Sequence, residues 1–282
     1  MSSARGAKEF WKGWSAGFVV PSTIENLFKD YWTKRYLAQL KYLKNGERIL
    51  DIGCGNAKYF VKLKDKFRKL YGLDLTEVPF RTARKIFPAG NYVVGDEVQL
   101  PFRDNSFDAI ISWGAFEHNN YIDLTFRECH RILAPNGILL FSVPNYFSPA
   151  CPYICIYRYR AIKKYGIMAV RGHHYSKQFL RTELEKAGFN QVKFVDSIYA
   201  APIPIVDLSF WPFVKAAKFI LGKPVMGGEK GTQQYNLSGN RLSRLNNFRN
   251  ALNYYYAKAF YPLERLGFGS MRVILCQKQQ KD

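Results

Sequence analysis

Residues 48–60 read RILDIGCGNAKYF, and the order of residue types in that stretch decides the fold. Ile49, Leu50 and Ile52 make a short apolar run of the kind found in a buried strand. Gly53, Cys54, Gly55 and Asn56 break it, and a helical pattern follows over 57–70. Glycines at a strand-to-helix turn tighten the turn and let a ligand approach the backbone. A lone G-x-G is a weak signal. Asp74, about 20 residues further on at the end of the next predicted strand, strengthens it, because a carboxylate there is placed to grip ribose hydroxyls.

Working outward, apolar runs predict strands over 70–75, 92–94, 107–112, 137–143 and 191–195, and a final strand over 271–277. Ile24, Leu27, Phe28, Trp32, Leu37, Leu40 and Leu43 form a helical stripe over 22–45. Further helices are expected over 123–132, stopped by Ala134-Pro135-Asn136-Gly137, and over 180–187, stopped by Gly188. Strands alternating with helices argue for an α/β fold whose parallel sheet is covered on both faces. Residues 197–270 are too long for a simple loop, and a helix is expected within them over 246–261. The chain thus divides into an N-terminal helical segment over the active site (1–45), a core (46–196), an aromatic, basic insertion (197–270) and a final strand and tail (271–282).

Bulk properties narrow the class. With 48% hydrophobic and 23% charged residues in 282, the composition is that of a globular protein. The five cysteines have no zinc-like or redox-like spacing, so buried free thiols are expected and no metal site. Residues 1–14 carry charges and tryptophans where a signal peptide needs a clean apolar run. The apolar stretch 197–221 is broken by Asp207, Lys215, Lys218 and three prolines, so no transmembrane segment is expected. A cytoplasmic protein follows, with peripheral membrane contact as an extension. The net charge of +20 is the abnormal number and suggests an anionic partner: nucleic acid, an acidic membrane surface or a phosphorylated substrate. Much of the excess falls at Arg158, Arg160, Lys163, Lys164, Arg171 and between Arg241 and Arg249.

Two cofactor types compete for the glycine turn. A dinucleotide site wants a third glycine where Lys58 stands, and Asp51 would face a pyrophosphate unfavourably. Asp51 suits an ammonium better, and the dinucleotide reading loses. ILDIGCGNAKYF, YGLDLTE, GDEVQLPFRDNSFDAIIS and ECHRILAPNGILLFSVPN follow one another in this order. Together, over roughly 45–195, they resemble the class I S-adenosylmethionine-dependent methyltransferases of the ubiquinone-biosynthesis-like (type 11) group. The resemblance implies a doubly wound, mostly parallel seven-stranded Rossmann-like sheet with an antiparallel last strand and a helical insertion before it. It also implies that Asp51, Gly53, Cys54 and Gly55 meet the methionine part of the cofactor. Asp74 with Leu75 would hold the ribose, Asp96 with Glu97 the adenine, and Ser112 would line the same site; the product would be S-adenosylhomocysteine. Ala57 departs from the family's usual glycine, with modest crowding expected.

His118, just after the fourth strand, is the candidate base, since histidines titrate near about 6.5. Packing beside the cofactor without titrating is the alternative. Trp113, Asn145, Tyr146 and His173 are expected to line the acceptor pocket. The favoured acceptor is a small-molecule, lipid-linked or glycan oxygen or carbon, with Tyr199, Phe210, Trp211 and Phe213 available to roof an anionic or apolar acceptor. RNA is the second choice: DIGCGNAKY resembles the glycine motif of transfer-RNA wobble-uridine methyltransferases.

Overall fold

The computed structural model of the chain describes residues 8–9, 11–13, 15–16, 24–28, 31–146, 173–198 and 271–279. Seven strands form one sheet: β1 (Gly46–Ile52), β2 (Phe67–Asp74), β3 (Asn91–Val94), β4 (Phe107–Trp113), β5 (Leu133–Pro144), β6 (Phe189–Ile198) and β7 (Met271–Lys278). Their order across the sheet is β3-β2-β1-β4-β5-β7-β6. β3, β2, β1, β4 and β5 run parallel, and β7 runs antiparallel to both β5 and β6. The expected doubly wound architecture with an antiparallel last strand is therefore what the chain adopts. The expected helix over 246–261, the aromatic residues Tyr199 to Phe213 and the basic residues from Arg158 to Arg171 and Arg241 to Arg249 lie outside the described residues.

Strand alternation sends successive side chains to opposite faces, and both are buried. Leu50, Ile52, Ile110, Leu139 and Phe141 pack on one face, under helices α4 (Ile122–Ile132) and α5 (Lys177–Lys186). Ile49, Ile111, Leu140 and Val273 pack on the other, against Tyr36 and Leu40 from the α1 region (Tyr31–Gln39) and Phe60 and Leu63 of α2 (Phe60–Leu63). A further helix, α3 (Phe80–Ile86), buries Phe80 and Ala83. Alpha-helix α1 is tied to the far edge of the sheet by charge: Arg35 donates two hydrogen bonds to Asp196 at 3.0 and 3.1 Å, and Gln39 adds a third at 2.6 Å.

Several boundaries differ from the sequence pattern, each for a local reason. The stripe over 22–45 is three short pieces, with 3-10 turns on either side of α1. The helix expected from 57 begins at Phe60, because Ala57 has φ 54° and cannot be a helical residue. β5 starts at Leu133, ahead of the Pro-Asn-Gly stop. Phe107 pairs with Leu133 and Ala109 with Ile138, so residues 134–137 bulge out of the ladder, with Asn136 at φ 64°. Helix α5 begins earlier than expected because the Ser176 hydroxyl accepts from the Phe179 amide at 3.1 Å.

Arg131 near the end of α4 fixes the loop that joins β3 to β4. It donates five hydrogen bonds: two to Glu128, one to Asp104, and one each to the Leu100 and Phe102 carbonyls. Glu128 in turn accepts from the Leu100 amide at 2.7 Å. Hydrogen bonds to charged groups contribute about 1.5–3 kcal/mol each before solvent screening, and this side chain is one-third exposed. Arg131→Ala should therefore lower unfolding stability by roughly 2–3 kcal/mol in a urea titration. A change within about 0.5 kcal/mol would mean that the loop holds itself.

Candidate active site

The turn after β1 is built against the end of β2. The Gly53 and Cys54 amides both donate to the Leu73 carbonyl, at 2.8 and 3.1 Å. The Gly55 amide donates to Asp74 Oδ2 at 3.2 Å, and the Thr76 amide to Asp74 Oδ1 at 3.4 Å. Gly53 has φ +71°, and a Cβ there would come within 2.4 Å of the Ala115 Cβ, so no larger residue fits. Ala57 keeps a left-handed backbone despite its methyl group, at a conformational cost of about 1–2 kcal/mol. Crowding was the expected consequence at this position; the backbone conformation is what the methyl group makes costly.

Four buried polar atoms near the carboxyl ends of adjacent strands have no hydrogen-bond partner: Asp51 Oδ2, Thr76 Oγ1, Ser112 Oγ and Trp113 Nε1. Native proteins rarely leave such atoms unsatisfied without a ligand or water to complete them. Asp51 is only 2% exposed. Burial, then the nearby Asp74, push its carboxyl well above the usual range, while Lys58 pulls the other way. A cation arriving at Asp51 would relieve that penalty. Asp74 is also raised by burial, against the lowering effect of the Thr76, Gly55 and Leu75 amides. Leu75 is itself half-buried beside this carboxylate. Asp96 is exposed and accepts from the Val98 amide at 3.2 Å. Glu97 accepts from Asn119, and burial pushes its carboxyl up to about 7 against that hydrogen bond.

The acceptor-side candidates fall into two groups. His118 ends a 3-10 turn, Phe116–His118, with Nε2 4.0 Å from Glu117 Oε1 and the Trp11 ring edge-on at 4.8 Å. The His173 amide donates to the Glu117 carbonyl at 2.7 Å, and its Nε2 lies 2.9 Å from Asn120 Oδ1, so both histidines frame the same turn. Asn145 is buried and bridges Tyr175, whereas Tyr146 is exposed. Trp113 stacks on Tyr36 at 4.7 Å, and Ser142 Oγ donates to the Tyr36 hydroxyl at 3.3 Å. Tyr36 and Lys58, whose ammonium bonds Thr33, therefore wall the site, though the sequence pattern marked neither. His130 packs on Phe189 at 5.2 Å, remote from these groups in the helix layer. Among the described residues, no three His, Cys, Asp or Glu side chains converge to hold a metal ion.

The strand order and the glycine turn facing a strand-end acid define the class I methyltransferase fold. Residues 50–141 match the family described as "Methyltransferase domain". Over 111 residues the chain is 32% identical to a malonyl-[acyl-carrier protein] O-methyltransferase of Coxiella burnetii, spanning 38% of each chain. Over 113 residues it is 36% identical to the demethylmenaquinone methyltransferase of Thermotoga maritima, spanning 39% of this chain and 48% of that one. The fold also matches the phosphoethanolamine N-methyltransferase 2 of Haemonchus contortus, with TM-score 0.54, 17% identity, and coverage of 99% of this chain and 58% of the other. Residues 50–141 therefore form a methyltransferase domain, similar to those of S-adenosylmethionine-dependent enzymes. The chain spans half or less of the length of these curated relatives. No helix among the described residues is long and apolar enough to cross a membrane.

A carboxyl raised in the fold adds stability that is fully present below its unfolded value and is lost as pH rises through the folded one. For Glu97 that window runs from 4.5 to about 7. Without ligand, Tm should fall across this window, and Glu97→Gln should remove that part of the fall. Calorimetric scans at stepped pH test this; the same slope in both proteins would show that Glu97 does not titrate there.

Proposed function

We propose that the chain methylates an oxygen or carbon of a small-molecule, lipid-linked or glycan acceptor by in-line displacement. Bound S-adenosylmethionine supplies an electrophilic methyl group and leaves as S-adenosylhomocysteine. One observation carries the donor half of this reading: the Asp51 carboxyl is buried with Oδ2 unsatisfied beside a turn that only glycine can make. Asp51 receives the ammonium of the methionine tail, and Gly53, Cys54 and Gly55 admit that tail close to the backbone. Asp74 and Leu75 take the ribose, and Asp96 and Glu97 flank the adenine. Ser112 Oγ offers a further hydrogen bond to the cofactor.

On the acceptor side, Trp113, Asn145, Tyr146 and His173 orient the nucleophile, and alignment of this kind can supply about 7–11 kcal/mol of the barrier. His118 takes the proton when the acceptor is a hydroxyl. The net charge of +20 favours a second reading, an RNA acceptor or a contact with an acidic membrane surface. A labelled-methyl screen of cell lipid, glycan and RNA fractions separates the two: label confined to RNA overturns the small-acceptor reading.

Asp51→Asn should weaken S-adenosylhomocysteine binding at least tenfold by calorimetry. Because the wild-type carboxyl is raised, binding of the ammonium should release a proton and tighten as pH rises. Equal affinity in the two proteins would remove Asp51 from the cofactor site. His118→Ala should cut turnover by about 10²-fold or more while leaving cofactor affinity within twofold. Unchanged turnover would leave His118 as packing alone.

A further inference from the structure

Arg272 is a buried cation that the cofactor site does not use. It is 5% exposed, and on β7 it lies between Val143 of β5 and Ser197 of β6. Its Nε donates to Asn145 Oδ1 at 2.7 Å, a neutral acceptor. Its Nη1 is buried with no hydrogen-bond partner. Among the described residues no carboxylate pairs with it, in contrast to Arg35 and Arg131, which both hold acids. Burial lowers its pKa with no acid nearby to raise it again. A guanidinium nonetheless stays charged in proteins, and buried charges are almost always paired.

The surroundings point to what completes it. Asn145 fixes the Nε edge of the fork, so the plane of the guanidinium is set before any ligand arrives. Planar, bidentate recognition by arginine suits a carboxylate or a phosphate. The position is the carboxyl-terminal end of β5, the edge at which ligands of open α/β sheets bind. Asn145 bridges Tyr175, and the Tyr146 amide donates to the Tyr175 carbonyl at 3.2 Å, so Arg272 adjoins the proposed acceptor residues. By strand alternation Arg272 shares a face with Ile274 and Val143, opposite the face of Ile49 and Asp51. An anion there leaves the cofactor's ammonium seat undisturbed.

We infer that Arg272, held by Asn145, is the seat for an anionic group, carboxylate or phosphate, carried by the methyl acceptor. This rests on the methyltransferase reading and selects the anionic member of the acceptor classes considered above. A chain with a net charge of +20 also draws such acceptors towards it.

The test uses the full chain saturated with S-adenosylhomocysteine and inorganic phosphate as the probe. Calorimetry should find a saturable phosphate site in the wild type that is at least tenfold weaker in Arg272→Met, with an intermediate loss in Arg272→Lys. Circular dichroism establishes that each variant is folded, and if the Met variant is not, the Lys variant decides. Because an unpaired buried charge is removed, Tm of Arg272→Met should equal or exceed that of the wild type; a merely structural arginine would lower it. Equal phosphate affinity in wild type and variants, or no saturable site at all, overturns the inference. Phosphate should also suppress methyl labelling of cell extract by the wild type; binding without suppression means a free-phosphate site and overturns the assignment to the acceptor. S-adenosylhomocysteine affinity, titrated separately in each protein, stays within twofold. Its absence in the wild type would instead be a failure of the cofactor reading.

Discussion

One carbonyl, that of Leu73, accepts from both Gly53 and Cys54, and much of the site depends on that shared bond. It clamps the chain leaving β1 onto the end of strand β2, which brings the Gly55 amide to Asp74. The clamp requires the backbone to pass Ala115 at a distance that only a missing Cβ permits. Once it is formed, the helix cannot start until the chain has passed Ala57, whose left-handed backbone ends the turn. The short α2 and the delayed helix start are consequences of this packing.

The electrostatics divide sharply between the site and the rest of the chain. In a protein with a net charge of +20, three acids (Asp51, Asp74 and Glu97) are raised by burial, and each lies close enough to at least one other for repulsion to count. Such a group of buried carboxyls is unfavourable without a ligand, since each loses hydration and gains a like-charged neighbour. A cationic ligand with hydroxyls and an amine reverses each of these costs. Under the proposed function, the stability given up at these strand ends is returned when the cofactor binds.

How much of this was legible in the sequence depends on how local the cause is. The β1 turn and the strand-end acid come from residues close in sequence and could be read directly, whereas the seven-stranded sheet with its antiparallel last strand came only as what the family resemblance implies. The onset of α2 could not be placed, because the left-handed φ of Ala57 leaves no mark in the local sequence. The Pro-Asn-Gly signal at 134–137 reads in the sequence as a helix stop and not as a bulge within β5, since a register shift needs both strands to be seen. Tyr36 stacked on Trp113, and Arg272 on Asn145 across 127 residues, were invisible. Nothing in either local pattern says which strand or helix will lie beside it.

Asp51 and Arg272 are two kinds of incompleteness on one sheet. Asp51 stands on β1 and Arg272 on β7, with β4 and β5 between, so three strand spacings or about 14 Å separate them laterally. Following the register, Asp51 is level with Ile111, Leu140 and Leu275, and Arg272 lies three residues further toward the carboxyl edge. That adds about 10 Å along the strand. At this separation the two side chains, both almost fully buried, are too far apart to form an ion pair. Each therefore needs its own counter-charge, and opposite signs call for different ligand groups. A cationic donor at one end and an anionic acceptor at the other satisfy both.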